Sequence, residues 1–307
     1  MIIAFICIVL IFNTMETISI HRPKIVVIGS CNTDMVVKAN RLPVPGETIL
    51  GGTFYMNPGG KGANQAIAAA RLGAEVTFIS KIGYDLFGLQ ALEIYRSEKI
   101  NTEYIFTDQK SPSGVALISV DSFGENSIIV APGASRSLSI EDINKAEEKI
   151  KEADIILMQL EIPIDTVEYA ATIACKYGKK VILNPAPASS LSNSFLMNVH
   201  TILPNRIEAE MLSGIKVMNI ESAHRAAQAI GEKGIENVVI TLGKDGAYVK
   251  EKDEYTMIPA KEVETIDTTG AGDAFIGSLL YQLAEDGVTT DSIADLTEDK
   301  LEEYLKK

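Results

Sequence analysis

The sequence has little of what marks secreted, membrane-spanning or nucleic-acid-binding proteins. Its three cysteines, Cys7, Cys31 and Cys175, form no CxxC pair and are odd in number. This fits a reducing, cytoplasmic setting better than a disulfide framework, with the thiols as small apolar side chains. Positive charge is short: 28 Lys and Arg against 41 Asp and Glu leave a formal net charge of −13, which argues against nucleic acid or an anionic membrane as partner. Long apolar runs are missing too. Ile2 to Phe12 is only eleven residues and has no preceding Lys or Arg, too short for a bilayer and without the charged start of a signal peptide. A start at Met15 would lead straight into the first strand, so residues 1–23 are expected to be an extension outside the fold. There is no repeat, heptad or low-complexity linker. The three histidines, His21, His200 and His224, have no partners at metal-ligand spacing.

What is present is enough for one large core: 307 residues with 46% hydrophobic content. Lys24 to Gly29 is a β-branched run of the kind buried on both faces of a sheet. Strand and helix patterns then alternate. Helices are expected over Gly62–Leu72, Asp85–Glu98, Ile140–Lys151, Ile164–Tyr177, Ile207–Leu212 and Ser222–Lys233. Strands are expected over Glu75–Ile79, Asp154–Gln159, Lys180–Leu183, Thr201–Leu203, Asn237–Leu242 and Ala247–Lys250. Such alternation implies an α/β fold with a doubly wound, mostly parallel sheet. Met35–Lys38, Thr48–Phe54, Gly114–Asp121 and Ser127–Ala131 are short β segments with few helices between them, which implies a second, small sheet.

Two Gly-rich turns open helices. In Asp267-Thr268-Thr269-Gly270-Ala271-Gly272-Asp273, the free amides of Ala271, Gly272 and Asp273 can face an anion, and the helix dipole favours negative charge there. Gly270 and Gly272 permit close approach, and Asp273 puts a carboxylate beside the hole. The second turn, Asn57-Pro58-Gly59-Gly60-Lys61-Gly62-Ala63-Asn64-Gln65, lacks the upstream glycine and the Ser or Thr of a P-loop, and neither turn supplies GxGxxG. Phosphoryl transfer still needs charge neutralisation and a group to take the hydroxyl proton, and the Asp273 turn offers both. Taken singly, Asn32 and Asp34 also suit an Asx turn after the first strand, Asn205 with Glu208 a capping box, and Asp245-Gly246 a type I′ hairpin turn.

Together the two turns resemble the signatures of the ribokinase (PfkB-type) family of sugar kinases, over about Lys24 to Asp286. The resemblance implies ATP-dependent phosphorylation of a sugar, D-ribose to D-ribose 5-phosphate, with fructose or a nucleoside as alternative acceptors. It makes the small sheet, with strands at about 34–54 and 113–131, a lid over the sugar. Asn32, Asp34, Gly60, Lys61, Asn64 and Glu161 would bind the sugar, with Gly59-Gly60 as a hinge. Asp273 would be the base, and Gly270, Ala271 and Gly272 would line the anion hole. Asn205, Glu208, Thr241, Gly243, Gly246 and Gly272 would meet ATP and Mg²⁺, and Asp267 and Thr269 would hold a monovalent cation, K⁺. The family's dimers imply a homodimer through the lid, with Val115 to Val120 as an exposed strand.

After Asp286 the pattern departs from the family, and residues 287–307 form a shortened segment with one terminal helix. One wall of the adenine pocket and half of the cation site are expected to be missing, and Leu279, Leu280 and Leu283 to lose their cover. A sugar-binding relative without catalysis is therefore the second reading.

Overall fold

A computed structural model describes residues 22–260 and 270–285. The chain begins with β1 (Lys24–Ile28), β2 (Asn32–Lys38) and β3 (Thr53–Gly59), followed by α1 (Lys61–Leu72), β4 (Glu75–Gly83) and α2 (Leu86–Ser97). Next come β5 (Ile105–Asp108), β6 (Gly114–Val120), β7 (Asn126–Ala131), α3 (Ile140–Lys145), α4 (Glu147–Glu152), β8 (Ile155–Met158), α5 (Ile164–Lys176) and β9 (Lys180–Leu183). The last group is α6 (Asn193–Leu196), β10 (Thr201–Ile202), α7 (Arg206–Ser213), α8 (Ile220–Gly231), β11 (Asn237–Thr241), β12 (Ala247–Glu251), β13 (Glu254–Ile258) and α9 (Ala271–Glu285).

The main sheet has the order β13-β12-β11-β10-β9-β8-β1-β4-β5. It is parallel from β11 to β5, and β12 and β13 add an antiparallel edge. β1 lies between β4 and β8, which is why its β-branched residues are buried on both faces. Val26 and Ile28 enter one core layer with α5 and α8, while Ile25 and Val27 enter the other with α1 and α9. The α/β architecture read from the strand-helix alternation is the one observed.

The lid is a four-stranded sheet of order β3-β2-β6-β7, with β2 and β6 parallel in its middle. Several local readings change here. β3 starts at Thr53, later than Thr48, because Gly51 and Gly52 both sit at φ 107°, and it runs on through Pro58, which an edge strand tolerates. Val115 to Val120 is an inner strand, and β3 and β7 are the edges. The helix expected over Ile140–Lys151 is two, parted at Ala146 (φ −99°, ψ 6°). β5 and β13 were not legible, being short partners at the rims of the main sheet. Cys31 is buried, but Cys175 is exposed on α5, contrary to a small apolar role.

α9 and α1 form the scaffold for the site. Alanines 63, 66 and 69 of α1 are fully buried, and a Cβ at Gly277 would lie 2.5 Å from Ala68 Cβ, so the two helices touch nearly backbone to backbone. Leu279, Leu280 and Leu283 are buried in this layer. The expectation that they are uncovered is wrong, because α1 and β1 cover them. Residues 1–21, 261–269 and 286–307, with the terminal helix and the cation ligands read there, lie outside the described residues.

Candidate active site

The site is built where the chain passes between lid and main sheet. Asn32 and Asp34, for which an Asx turn after β1 was the alternative, lie in β2, two residues apart, and so share one face of the lid, beside Gly59 of the paired β3. A Cβ at Gly59 would fall 2.0 Å from Asp34 Oδ1. That position is glycine because the carboxylate lies against its Cα. Gly60 (φ 89°) then turns the chain into α1, whose first residue is Lys61.

Glu161, just after β8, clamps this junction. Its Oε2 accepts from Ser30 Oγ at 2.5 Å and from the Lys61 amide at 3.0 Å. One carboxylate thus ties the end of β1 to the start of α1. On the next turn, Asn64 Nδ2 donates to Asp273 Oδ2 (3.1 Å) and Gln65 Nε2 to Asp273 Oδ1 (2.8 Å). Asp273 is buried in the first turn of α9, while Ala271 and Gly272 beside it are exposed. Gly270, at φ 74°, turns the chain into the helix. Among the described residues a Cβ on Gly272 would meet nothing within 4 Å, so they leave space in front of this turn. The first amides of any helix lack an intrahelical acceptor, so this turn faces that space with donors.

A second group lies along β10 and β11. Asn205 caps α7 through its side chain, and Glu208 returns both oxygens to Asn205, Oε2 from its amide (2.8 Å) and Oε1 from Nδ2 (2.9 Å). Replacing Asn205 with alanine is expected to cost about 1 kcal/mol of stability, read as a lower urea midpoint at unchanged slope. Thr241 ends β11 beside Asn205, bridged in parallel. Gly243 and Gly246 flank a 3-10 turn, not the type I′ turn read from Asp245-Gly246. Asp245 is drawn into it by Arg206 (2.6 Å), and only the glycines take positive φ.

Charge links the two groups. Burial, and then the charges of Glu161 and Asp273, lift the Asp34 carboxyl to about 6. Burial also pushes Glu208 up, opposed by the Asn205 amide and the Lys61 ammonium, with Asp273 a smaller repulsive partner. The arrangement therefore puts four carboxylates (Asp34, Glu161, Asp273 and Glu208), Lys61 and the amide side chains of Asn32, Asn64, Gln65 and Asn205 around a gap that ends at a helix N-terminus. Such a gap suits a polyhydroxylated ligand meeting an anion.

Sequence reasoning missed three residues. Gln65 lay inside the quoted motif but had no role. Gln159 and Asn184 directly follow β8 and β9, and their signal was a polar amide at the C-terminal end of a buried strand, where open α/β sheets gather ligands. Among the described residues no cluster of His, Cys, Asp or Glu could hold a metal ion, and no helix is long and apolar enough to cross a membrane.

Residues 22–297 match the family described as pfkB family carbohydrate kinase. The chain belongs to this family. It is 45% identical to the ribokinase of Haemophilus influenzae over 265 residues, covering 86% of this chain and 87% of that one. It is 39% identical to the deoxyribokinase of Salmonella typhi, covering 86% of each. The solved structure of Arabidopsis thaliana ribokinase complexed with ribose and ATP superimposes with a TM-score of 0.78 at 30% identity, over 86% of this chain and 87% of that chain. As a family member, the chain is an enzyme of carbohydrate phosphorylation, and its fold is that of these kinases.

Proposed function

We propose that the chain transfers the γ-phosphoryl group of ATP to D-ribose, giving D-ribose 5-phosphate. The observation that carries this reading is Asp273, held by two donors at an open helix N-terminus and facing the Asp34–Glu161 cluster. Asn32, Asp34, Lys61, Asn64 and Glu161 bind the sugar hydroxyls, each needing a matched donor or acceptor. Asp273 takes the proton of the attacking hydroxyl. The amides of Ala271 to Asp273, with Gly270 turning the chain, stabilise charge on the transferring group. Asn205, Glu208, Thr241, Gly243 and Gly246 form the nucleotide side.

The Glu208 carboxylate already accepts from Asn205 on each oxygen, which fits the role of holding waters of a hydrated Mg²⁺ better than direct ligation. Mg²⁺ bound there supplies positive charge to the phosphates. Asp267 and Thr269 are assigned to K⁺ on the family resemblance. A cytoplasmic location is part of this reading, supported by Cys31 and Cys175 being free among the described residues. The lid also presents apolar side chains to solvent, Phe54 at 57% and Ile129 at 68% exposure, and its edge strands are open, which supports a homodimer through the lid. Ile129→Lys is expected to halve the mass seen by light scattering; an unchanged mass would remove the lid from the interface.

The test is ATP-dependent phosphorylation with Mg²⁺ and K⁺ of D-ribose, 2-deoxyribose, fructose and adenosine in parallel. Ribose should give the highest kcat/KM. Preference for another acceptor would reassign the substrate, and no transfer to any of them, by a folded protein that binds ribose, would favour the non-catalytic reading.

A further inference from the structure

Behind Asp273 runs a buried chain of amides. Asn184 Nδ2 donates to the Leu203 carbonyl (3.1 Å), which leaves Asn184 Oδ1 to accept from Gln65 Nε2 (3.1 Å). Gln65 Nε2 spends its other hydrogen on Asp273 Oδ1, and Gln65 Oε1 accepts from Gln159 Nε2 at 2.5 Å. Gln65 and Gln159 are wholly buried, and Asn184 nearly so. The polarity of this chain follows from one backbone group. A carbonyl can only accept, so Asn184 must turn its nitrogen to Leu203, Gln65 its nitrogen to Asn184 and Asp273, and Gln159 its nitrogen to Gln65. Gln159 is left with Oε1 buried and without a partner, lying where a Cβ on Gly29 would be. A flip of Gln159 would bring two oxygens together instead. An unsatisfied buried oxygen is rare enough to need a reason.

We infer that Gln65 is a positioning residue, whose amide the Leu203–Asn184–Gln65–Gln159 chain fixes with its N–H toward Asp273 Oδ1, so that the carboxylate, with Asn64 on Oδ2, is held in one orientation for receiving the proton of the sugar hydroxyl. The inference rests on the proposed kinase reading for its consequence in catalysis, though not for the geometry. Asp34 from β2, Glu161 from the segment after β8, Lys61 from α1 and Glu208 from α7 also act electrostatically in this neighbourhood. Among them, Gln65 and Asn64 are the side chains that hydrogen-bond the carboxylate.

Gln65→Met keeps the length of the side chain and removes the donor. Its kcat is expected to fall about tenfold with KM for ribose within about twofold of the parent, the mark of an interaction made at the reacting group. Gln159→Met exchanges one orphaned oxygen for another, that of Gln65, and should lower kcat about threefold with little change in melting temperature. Parental kcat in both variants, with lowered melting temperature alone, would overturn the inference. A substrate-free measurement covers the cases of misfolding and of an inactive parent. The side-chain amide protons of Gln65, observed by NMR in the parent, should exchange slowly and shift in Asp273→Asn. Fast exchange or no shift sinks the inference whatever the protein phosphorylates, whereas a shift together with an inactive parent sinks only the kinase reading.

Discussion

Asp273→Ala is expected to lower kcat for ribose about 10³-fold, within the range for loss of a positioned base and equal to about 4 kcal/mol of barrier. KM should change little, because Asn32, Asp34 and Asn64, the residues proposed to bind the sugar, lie on other elements. The fold should survive: Gln65 keeps Asn184 as acceptor, and α9 is held by leucines farther along the helix. The loss should be incomplete, since the amides of the first turn remain and the sugar is still oriented. Steady-state kinetics at saturating ATP and ribose read this directly. A loss of less than tenfold would mean that proton removal is not the work of Asp273.

Asp34→Asn should act in two opposite directions. Ribose affinity is expected to fall about 100-fold, or about 2.7 kcal/mol, because a half-buried acceptor proposed to meet the sugar hydroxyls becomes partly a donor. Stability without sugar should rise. The folded protein holds the Asp34 carboxyl near 6, above its ordinary value near 4, so the folded state binds the proton more tightly than the unfolded chain does. The sign follows: the cost of this carboxylate is nil below pH 4, grows between about 4 and 6, and is complete above 6. Asp34 is partly open to solvent, so the gain in the variant at pH 7 is put at about 1 kcal/mol after screening. At pH 4 the two proteins should melt alike. In the parent, kcat/KM for ribose should fall as pH drops through about 6. Equal melting of both proteins at pH 7 and pH 4 would show that sugar recognition carries no cost in the empty enzyme.

The fold was legible where burial wrote a simple pattern. β1, β9 and β11 are apolar runs because both of their faces are covered, and α1 carries small residues where α9 approaches. The lid was harder, because its strands mix exposed apolar residues with polar residues, so the start of β3 and the strand position of Asn32 came only with the structure. Motif residues such as Lys61, Asn64 and Asp273 announce themselves through spacing beside glycines. Gln159 and Asn184 do not, since each is one amide after an ordinary strand and acquires its meaning from Gln65, which is distant in sequence. The leucines of α9 were misjudged because cover was expected from the chain that follows, whereas it comes from α1.

The middle of the lid joins β2 to β6 in parallel, Asn32 opposite Gly114, with α1, β4, α2 and β5 between them in the chain. No hairpin can nucleate that pairing. It must wait until the central strands have docked and closed the long loop between its partners, which is the slow kind of contact. Asp273 is seated against α1 across a longer stretch of chain still, 208 residues from Gln65. During refolding, the lid pairing and the seating of Asp273 should therefore both come late, so that sugar binding and turnover are regained together, after the main sheet has formed.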